Sequence, residues 1–467
     1  MAITFGTSGW RAIIADEFTF ANVRLVTRAI ASVLSEEQAG GKVVVGYDTR
    51  FLSERFAAEC AEEFARLGFE SYLTTRETPT PVISYAIRSL KARGAINFTA
   101  SHNPPQYNGM KFSTADGAPA LPEVTKRIET RITELQGQPE ATSTSTSSQV
   151  TALDPREDYL KDLESKIRFD RIANAKLSLA YDPLWGTGRG YLDEALRRIG
   201  CEVTNVHDNR DVLFGGYAPE PSTKSLALMR ELVLQNNLAL GLATDGDADR
   251  FGFIDRDGTF FNANHLLVLV FDYLCESRPE WAGGIARSVA TTHLLDRVAA
   301  RYNRPVYETP VGFKFIGELL IQDKIIFGGE ESAGLTVKGH YPEKDGILAC
   351  LLATEMVAAR GAGLGEMLNE AFRQYGALYS ERVGIKLTPE VKARLQARLA
   401  AEDPSQIGGR KVASINRTDG VKYIFDDGSW LLLRLSGTEP VVRCYAETNS
   451  REDLEVLLET GSKFVLD

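Results

Sequence analysis

Thr99-Ala100-Ser101-His102-Asn103-Pro104-Pro105 places a hydroxyl, an imidazole and two prolines within seven residues. It follows Gly94–Phe98, a short apolar run that reads as a buried strand. The prolines bar an immediate helix and push Asn103 and Pro104 into extended or turn geometry. Ser101 is thereby held at the mouth of a sheet with little freedom, which suits a hydroxyl that carries a transferred group. A serine in an Asn-Pro loop is also a common turn residue that satisfies backbone groups. No G-x-S-x-G elbow is present. His102, an immediate neighbour whose side chain points another way, suits orienting the loop or touching phosphate better than acting as a base.

Asp245-Gly246-Asp247-Ala248-Asp249-Arg250 follows the strand-like Leu238–Thr244, at the end of a strand where α/β ligands bind. In extended backbone Asp245, Asp247 and Asp249 project to one side. Three such carboxylates repel unless a cation lies among them, and hard oxygen donors favour Mg²⁺ or Ca²⁺ over zinc. A calcium-binding EF-hand loop fails the spacing, since its glycine position holds Arg250 and its closing glutamate position holds Arg256. Mg²⁺ commonly completes its shell with a phosphate oxygen, and a phosphorylated Ser101 supplies one.

Two further clusters lie downstream. Gly328-Gly329-Glu330-Glu331-Ser332 ends a strand with two carboxylates and a hydroxyl, a set suited to sugar hydroxyls, although acidic turns are often simply solvated. Arg434-Leu435-Ser436-Gly437-Thr438-Glu439-Pro440, with Arg443 beyond, combines guanidinium groups, hydroxyls and a glycine turn into a phosphate cradle without a nucleophile. A reactive phosphate at one end and a gripping site at the other is what moving a phosphoryl group between two positions of one sugar requires.

The elements that position these groups alternate. A helix is expected from Phe20 to Leu34, a strand at Lys42–Asp48 and a helix at Glu54–Leu67, before the serine loop. A second unit opens at Lys176–Asp182 and runs into the glycine-rich Trp185–Gly190, and a third carries Ile325–Phe327 and a helix from Lys344 to about Ala359. Strands alternating with helices imply mixed sheets covered on both faces. The last hundred residues differ, with closely spaced strands at Val421–Phe425, Trp430–Leu435 and Val441–Glu447 between helices Pro389–Ala400 and Glu452–Lys463, an α+β pattern with an antiparallel sheet. The expected division is 1–150, 151–251, 252–374 and 375–467, with 135–150 a mobile linker or loop whose Ser/Thr-rich part, 142–148, also offers phosphorylation targets.

Composition sets the class. A chain of 467 residues exceeds one core, and 25% charged and 43% hydrophobic residues are ordinary for a soluble protein. Net charge −10, from 53 basic against 63 acidic residues, argues against general nucleic-acid or membrane-surface binding. Five scattered cysteines without a CxxC pair suggest reduced thiols in a cytoplasm. The first residues lack a basic region followed by an apolar one, so no signal peptide is expected, and no apolar run reaches membrane-spanning length.

Gly6-Thr7-Ser8-Gly9-Trp10-Arg11, the Ser101 loop with Asn108, Gly109 and Lys111, Asp245–Arg250, Gly328–Ser332 and Arg434–Pro440 resemble, in this order and along the whole chain, the α-D-phosphohexomutase family. The resemblance implies three mixed α/β domains around a central cleft and a C-terminal α+β lid. It implies Ser101 as phosphoserine, with Mg²⁺ held by its phosphate and by Asp245, Asp247 and Asp249. Arg11 and Arg250 match helpers at the reactive phosphate, and Lys111 a general acid/base whose pKa the metal and arginines would lower. Glu330 and Ser332 match readers of sugar hydroxyls, with Gly312 beside them; Arg434, Ser436, Gly437, Thr438 and Arg443 match the grip on the far phosphate. Glu331 resembles glucose-directed members; mannose- and glucosamine-directed ones place a histidine at the position of Gly334, and here His340 with Lys344 takes its place. The implied activity is interconversion of glucose 1- and 6-phosphate, with glucose 1,6-bisphosphate as intermediate and activator. The implied protein is a monomer or homodimer acting on hexose phosphates. Mannose- or glucosamine-phosphate mutases, an Mg²⁺-dependent sugar phosphatase, a bisphosphate synthase and a non-catalytic sensor are the alternatives.

Overall fold

A computed structural model describes residues 3–6, 9–138, 149–401, 403–435 and 441–466. The Ser/Thr-rich segment 142–148 lies outside them. Four sheets follow one another along the chain. The first has the order Trp10–Ile13, Tyr107–Thr114, Gly94–Phe98, Lys42–Tyr47, Glu70–Thr74, Val150–Leu153, and its first three strands are antiparallel to their neighbours at that edge while the rest are parallel. Helix Phe20–Ser35 covers it because Val23, Val26, Ile30 and Val33 recur at helical spacing, and the Thr19 hydroxyl caps the Asn22 N–H.

The second sheet orders Phe251–Asp255, Leu240–Thr244, Ser178–Asp182 and Glu202–Asn205; the third orders Val306–Thr309, Gly284–Ser288, Ile325–Glu330 and Gly334–Val337. One apolar core runs through both, organised around helix Gly346–Arg360, whose residues from Gly346 to Val357 are all buried. A helix buried on every side reads as continuously hydrophobic instead of amphipathic. The fourth sheet is antiparallel throughout, from Tyr379–Lys386 through Val441–Thr448, Trp430–Leu435 and Val421–Phe425 to Arg410–Asn416 and Gln406–Ile407. Three mixed α/β domains and a C-terminal antiparallel domain are therefore present, as the sequence implies.

Two expected divisions fall inside strands. Val150–Leu153 pairs in parallel with Glu70–Thr74, so the first domain extends past residue 150. Phe251–Asp255 pairs antiparallel with Leu240–Thr244, so the second extends past 251. In both cases the boundary is set by a distant pairing partner, which composition does not record. No single helix among the described residues is long and apolar enough to cross a membrane.

Candidate active site

The serine loop leaves the carboxyl end of Gly94–Phe98. Thr99 Oγ1 accepts from the Ser101 N–H at 2.9 Å, and Ser101 sits in the left-handed region at φ 51°. Its principal support is Arg50, which lies just past strand Lys42–Tyr47. The fully buried guanidinium donates to the carbonyls of Ser101 and Asn103 at 2.6 Å, Pro104 at 2.8 Å and Tyr107 at 3.0 Å, and pairs with Asp48 at 3.1 Å. The Asp48-Thr49-Arg50 triplet after an apolar strand was the available signal for this residue.

Ser101 Oγ donates to Asp245 Oδ2 at 3.1 Å. Contrary to the extended geometry expected, Asp245–Arg250 is a turn between antiparallel strands: the Ala248 N–H donates to the Asp245 carbonyl at 3.0 Å, Arg250 N–H to Asp245 Oδ1 at 3.0 Å, and Ala248 has φ 56°. Folding back, instead of alternation, brings the carboxylates together. Neighbours on three sides fix the turn. Thr80 Oγ1 donates to Asp247 Oδ2 at 2.5 Å, the Thr187 N–H to the Gly246 carbonyl at 3.0 Å, and the Gly346 N–H to the Ala248 carbonyl at 3.0 Å.

Asp245, Asp247 and Asp249 are buried, and one oxygen of each lies within 4.8 Å of the others. Burial, then Asp247 and Asp249, push the Asp245 carboxyl well above its ordinary range. Oδ1 of both Asp247 and Asp249 is buried without a hydrogen-bond partner. An all-carboxylate set with orphaned oxygens fits a hard divalent cation.

Lys111, on strand Tyr107–Thr114, reaches Asp247 Oδ2 at 2.5 Å and Asp249 Oδ2 at 3.0 Å; Lys344 reaches Asp249 Oδ2 at 3.1 Å and Glu343 at 2.9 Å. Burial pulls the Lys111 pKa down, but the two aspartates outweigh it and the net shift is upward, opposite to the lowering expected for a base. Lys344 is likewise raised. His102 Nδ1 lies 3.4 Å from Ser101 Oγ, and Arg250, burial and Arg11 hold its ring neutral, well below the usual histidine range. Burial lowers Arg11 to about 10, and its Nη1 donates to Asn103 Oδ1 at 2.5 Å. Arg250 lies 3.8 Å from Asp249 and 3.5 Å from Glu220.

At the Gly328–Ser332 turn, Glu330 Oε1 accepts from the Gly312 N–H at 2.7 Å, and burial followed by Glu331 raises its carboxyl to about 7. Glu331 Oε2 accepts from Ser288 Oγ at 3.0 Å, and Ser332 is part-buried beside Ala333 at φ 67°. His340 is buried against Asp345 at 2.8 Å and Tyr341, and contacts neither the aspartates nor Ser101 among its described partners; Asp345 also caps helix Gly346–Arg360. On the fourth sheet Arg434 and Arg443 stand directly opposite on neighbouring strands. Like charges in that position destabilise a sheet, and Arg434 is offset by Asp419 Oδ2 at 2.8 Å. Ser436, Gly437 and Thr438, as well as Thr7 and Ser8, lie outside the described residues.

The family models for phosphoglucomutase/phosphomannomutase match in full order: alpha/beta/alpha domain I at residues 2–138, domain II at 157–258, domain III at 262–375 and the C-terminal domain at 389–460. A phosphoglucomutase/phosphomannomutase of Thermococcus kodakarensis is 30% identical over 100% of this chain and 99% of that protein. A phosphoglucomutase of Komagataeibacter xylinus is 30% identical over 96% and 87%. The crystal structure of a candidate phosphomannomutase from Thermus thermophilus is 35% identical with a TM-score of 0.87, over 100% and 99% of the two chains. A further relative, from Sulfurisphaera tokodaii, is named a phosphoglucosamine/phosphogalactosamine mutase. The chain belongs to the α-D-phosphohexomutase family.

Proposed function

We propose that this phosphohexomutase interconverts glucose 1-phosphate and glucose 6-phosphate through a phosphoryl group on Ser101 and glucose 1,6-bisphosphate. The supporting observation is Ser101 Oγ at 3.1 Å from a buried aspartate turn that two lysines also reach. The phosphoryl group leaves Oγ for a sugar hydroxyl, the Oγ–P bond breaks and a sugar O–P bond forms; after the sugar turns over, its other phosphoryl group returns to Oγ. Asp245, Asp247 and Asp249 would hold Mg²⁺, which supplies positive charge to the phosphoryl oxygens. Arg11 and Arg250 add fixed positive charge at the same end of the cleft, and neutral His102 offers a hydrogen-bond partner without competing charge. Lys111 and Lys344, each paired with an aspartate of the turn, serve as acid and base: one ammonium gives its proton to the departing oxygen, and the amine left behind takes the proton that the attacking sugar hydroxyl sheds. Glu330, Glu331 and Ser332 read the sugar, and Arg434 and Arg443 grip the phosphate that is not reacting.

Glucose is favoured by Glu331 and by glycine at 334, the features resembling glucose-directed members. The relative named for both glucose and mannose supports a dual enzyme as the second reading. Phosphorus NMR of the protein with Mg²⁺ and a trace of glucose 1,6-bisphosphate tests both. Glucose, mannose and glucosamine 1-phosphates are supplied separately, and the 6-phosphate is expected to form fastest from glucose. Faster turnover of another sugar reassigns the substrate, and free phosphate in place of a 6-phosphate refutes the mutase cycle.

A further inference from the structure

Both glutamates of the sugar turn are held by groups whose chain neighbours are gripped by the fourth domain. On one side the Gly312 N–H holds Glu330 Oε1 at 2.7 Å, and the preceding N–H, that of Val311, donates to Asp419 Oδ2 at 3.0 Å. The same Asp419 oxygen accepts from Arg434 Nε at 2.8 Å. Asp419 sits in the turn between Arg410–Asn416 and Val421–Phe425, so one carboxylate joins the phosphate grip to the support of a sugar reader.

On the other side Ser288 Oγ and Thr291 Oγ1 hold Glu331 Oε2, at 3.0 and 3.4 Å. Between them, the Val289 carbonyl accepts from Lys422 Nζ at 2.8 Å, and Val289 and Ala290 pack on Trp430, Leu432 and Tyr445 of the fourth sheet. Lys422 Nζ also lies 2.7 Å from His293 Nε2 and 4.0 Å from the Trp430 ring centre, and the His293 N–H donates to Glu447 Oε1 at 3.0 Å.

A joint that only fastened two domains would be expected to be apolar, because fully buried charges cost desolvation. Here Lys422 and Glu447 are wholly buried at the joint, and Glu447 Oε2 has no hydrogen-bond partner. Directional contacts of this kind specify one seating of the fourth domain more than they strengthen it. Each path from that domain to a glutamate crosses two hydrogen bonds and at most a few residues of backbone, which leaves little slack.

We infer that Asp419 and Lys422 are positioning residues that couple the seating of the fourth domain to the two glutamates of the sugar turn. Gripping the far phosphate at Arg434 and reading the sugar hydroxyls at Glu330 and Glu331 are then one linked event, and by linkage a sugar that engages Glu330 poorly is also held less firmly at Arg434. The inference rests on the sugar-phosphate reading of the site.

Double-mutant cycles on the full chain with Mg²⁺ test it, with glucose 6-phosphate affinity read by calorimetry. Asp419→Ala and Glu330→Ala are each expected to weaken binding about tenfold, roughly 1.4 kcal/mol. Because both break one link, the double variant is expected to lose about tenfold as well, a coupling within the range seen for contacting residues. Lys422→Met with Glu331→Ala is a second, independent cycle, which keeps the test alive where Asp419→Ala does not fold. Non-additive loss in either cycle supports the coupling, since a merely structural role for Asp419 or Lys422 gives additive losses. Additive losses, about a hundredfold in the double variants, overturn it while leaving the mutase reading in place. Wild-type protein that binds no hexose phosphate overturns both.

Discussion

Arg50 makes no contact with Asp245, Asp247 or Asp249 through hydrogen bonds, yet its replacement is expected to disable the reaction. Its five donors are distributed over four carbonyls of the serine loop and Asp48. Lysine keeps the charge but has three donors on one atom, which cannot span carbonyls from Ser101 to Tyr107. Hydrogen bonds from a charged donor are worth about 1.5–3 kcal/mol each. Losing two, with partial replacement by water, gives a cost of about 2–4 kcal/mol for Arg50→Lys. Arg50→Met also strands Asp48, whose carboxyl burial already raises, and breaking a buried pair costs about 3–5 kcal/mol. Ser101 holds a left-handed conformation that costs on the order of 1–3 kcal/mol and persists only while its surroundings impose it. Freed from the guanidinium, the loop shifts Oγ, and a misplacement of about 1 Å costs on the order of 100-fold in kcat. KM changes little, because Arg50 is placed behind the loop. Hydrogen exchange over 99–107 reads the loosening, and phosphorus NMR reads turnover. Adding Asp48→Asn to Arg50→Met recovers part of the stability and none of the rate. Arg50→Lys with wild-type kcat, or Asp48→Asn restoring the rate, would refute the positioning argument.

Further outcomes follow from individual contacts. Folding raises Glu330 from its ordinary 4.5 to about 7, so its protonated form favours the fold: that contribution is full below 4.5 and lost as pH rises through about 7. The ionised carboxylate is the stronger acceptor for a sugar hydroxyl, so kcat/KM is expected to fall on the acid side of about 7; a limb unchanged in Glu330→Gln sinks the assignment. Gly186→Ala puts a Cβ 2.7 Å from the Gly246 carbonyl oxygen and 2.9 Å from that of Asp245, which displaces the aspartate turn; Mn²⁺ affinity by electron paramagnetic resonance is expected to drop, and an unchanged value rejects the clash. Asp247→Asn is expected to weaken Mn²⁺ binding by about 10–100-fold, on the scale of losing a metal-site interaction. Chelation by EDTA is expected to stop turnover, and full activity in EDTA removes the metal from the site.

Local signals carried the serine loop, the aspartate triplet and the ends of most strands, because each is written in consecutive residues. What escaped is carried by distance. Arg50 meets Pro104 from 54 residues away, Lys111 meets Asp247 from 136 away and Thr80 meets Asp247 from 167 away, and no periodicity encodes such meetings. The aspartates were brought to one side by the wrong geometry, since alternation presumes a strand where Ala248 turns the chain back. The direction of the Lys111 shift was missed for a related reason: its neighbours in sequence are uncharged, while the carboxylates that dominate it come from the second domain. His340, matched with Lys344 by resemblance alone, is buried against Asp345, a partner five residues along that its position in the sequence does not single out.

Part of the backbone strain lies at the three loops that meet around Ser101. Among the described non-glycine residues with positive φ, Lys91, Lys176, Asn237, Asn303 and Asp323 lie at or just past helix ends, where such caps are ordinary. Of the rest, Ser101, Ala248 and Ala333 place one strained residue in each of the serine, aspartate and sugar loops. Trp185 and His207, stacked with ring centres 3.8 Å apart, stand beside Gly186 and Thr187 beneath the aspartate turn, and Phe214 lies 5.1 Å from the Arg50 guanidinium. Each strained loop is also tied by a different domain: Ser101 Oγ to Asp245 of the second, the aspartate turn to Thr80 of the first and Gly346 of the third, and the Ala333 carbonyl to the Phe251 N–H of the second. A loop held against its own preference by a neighbouring domain relaxes when that neighbour leaves. The serine loop keeps Arg50 within its own domain, so an excised first domain is expected to hold the loop backbone but lose the Ser101 Oγ to Asp245 contact, whereas the aspartate turn loses the ties from Thr80 and Gly346.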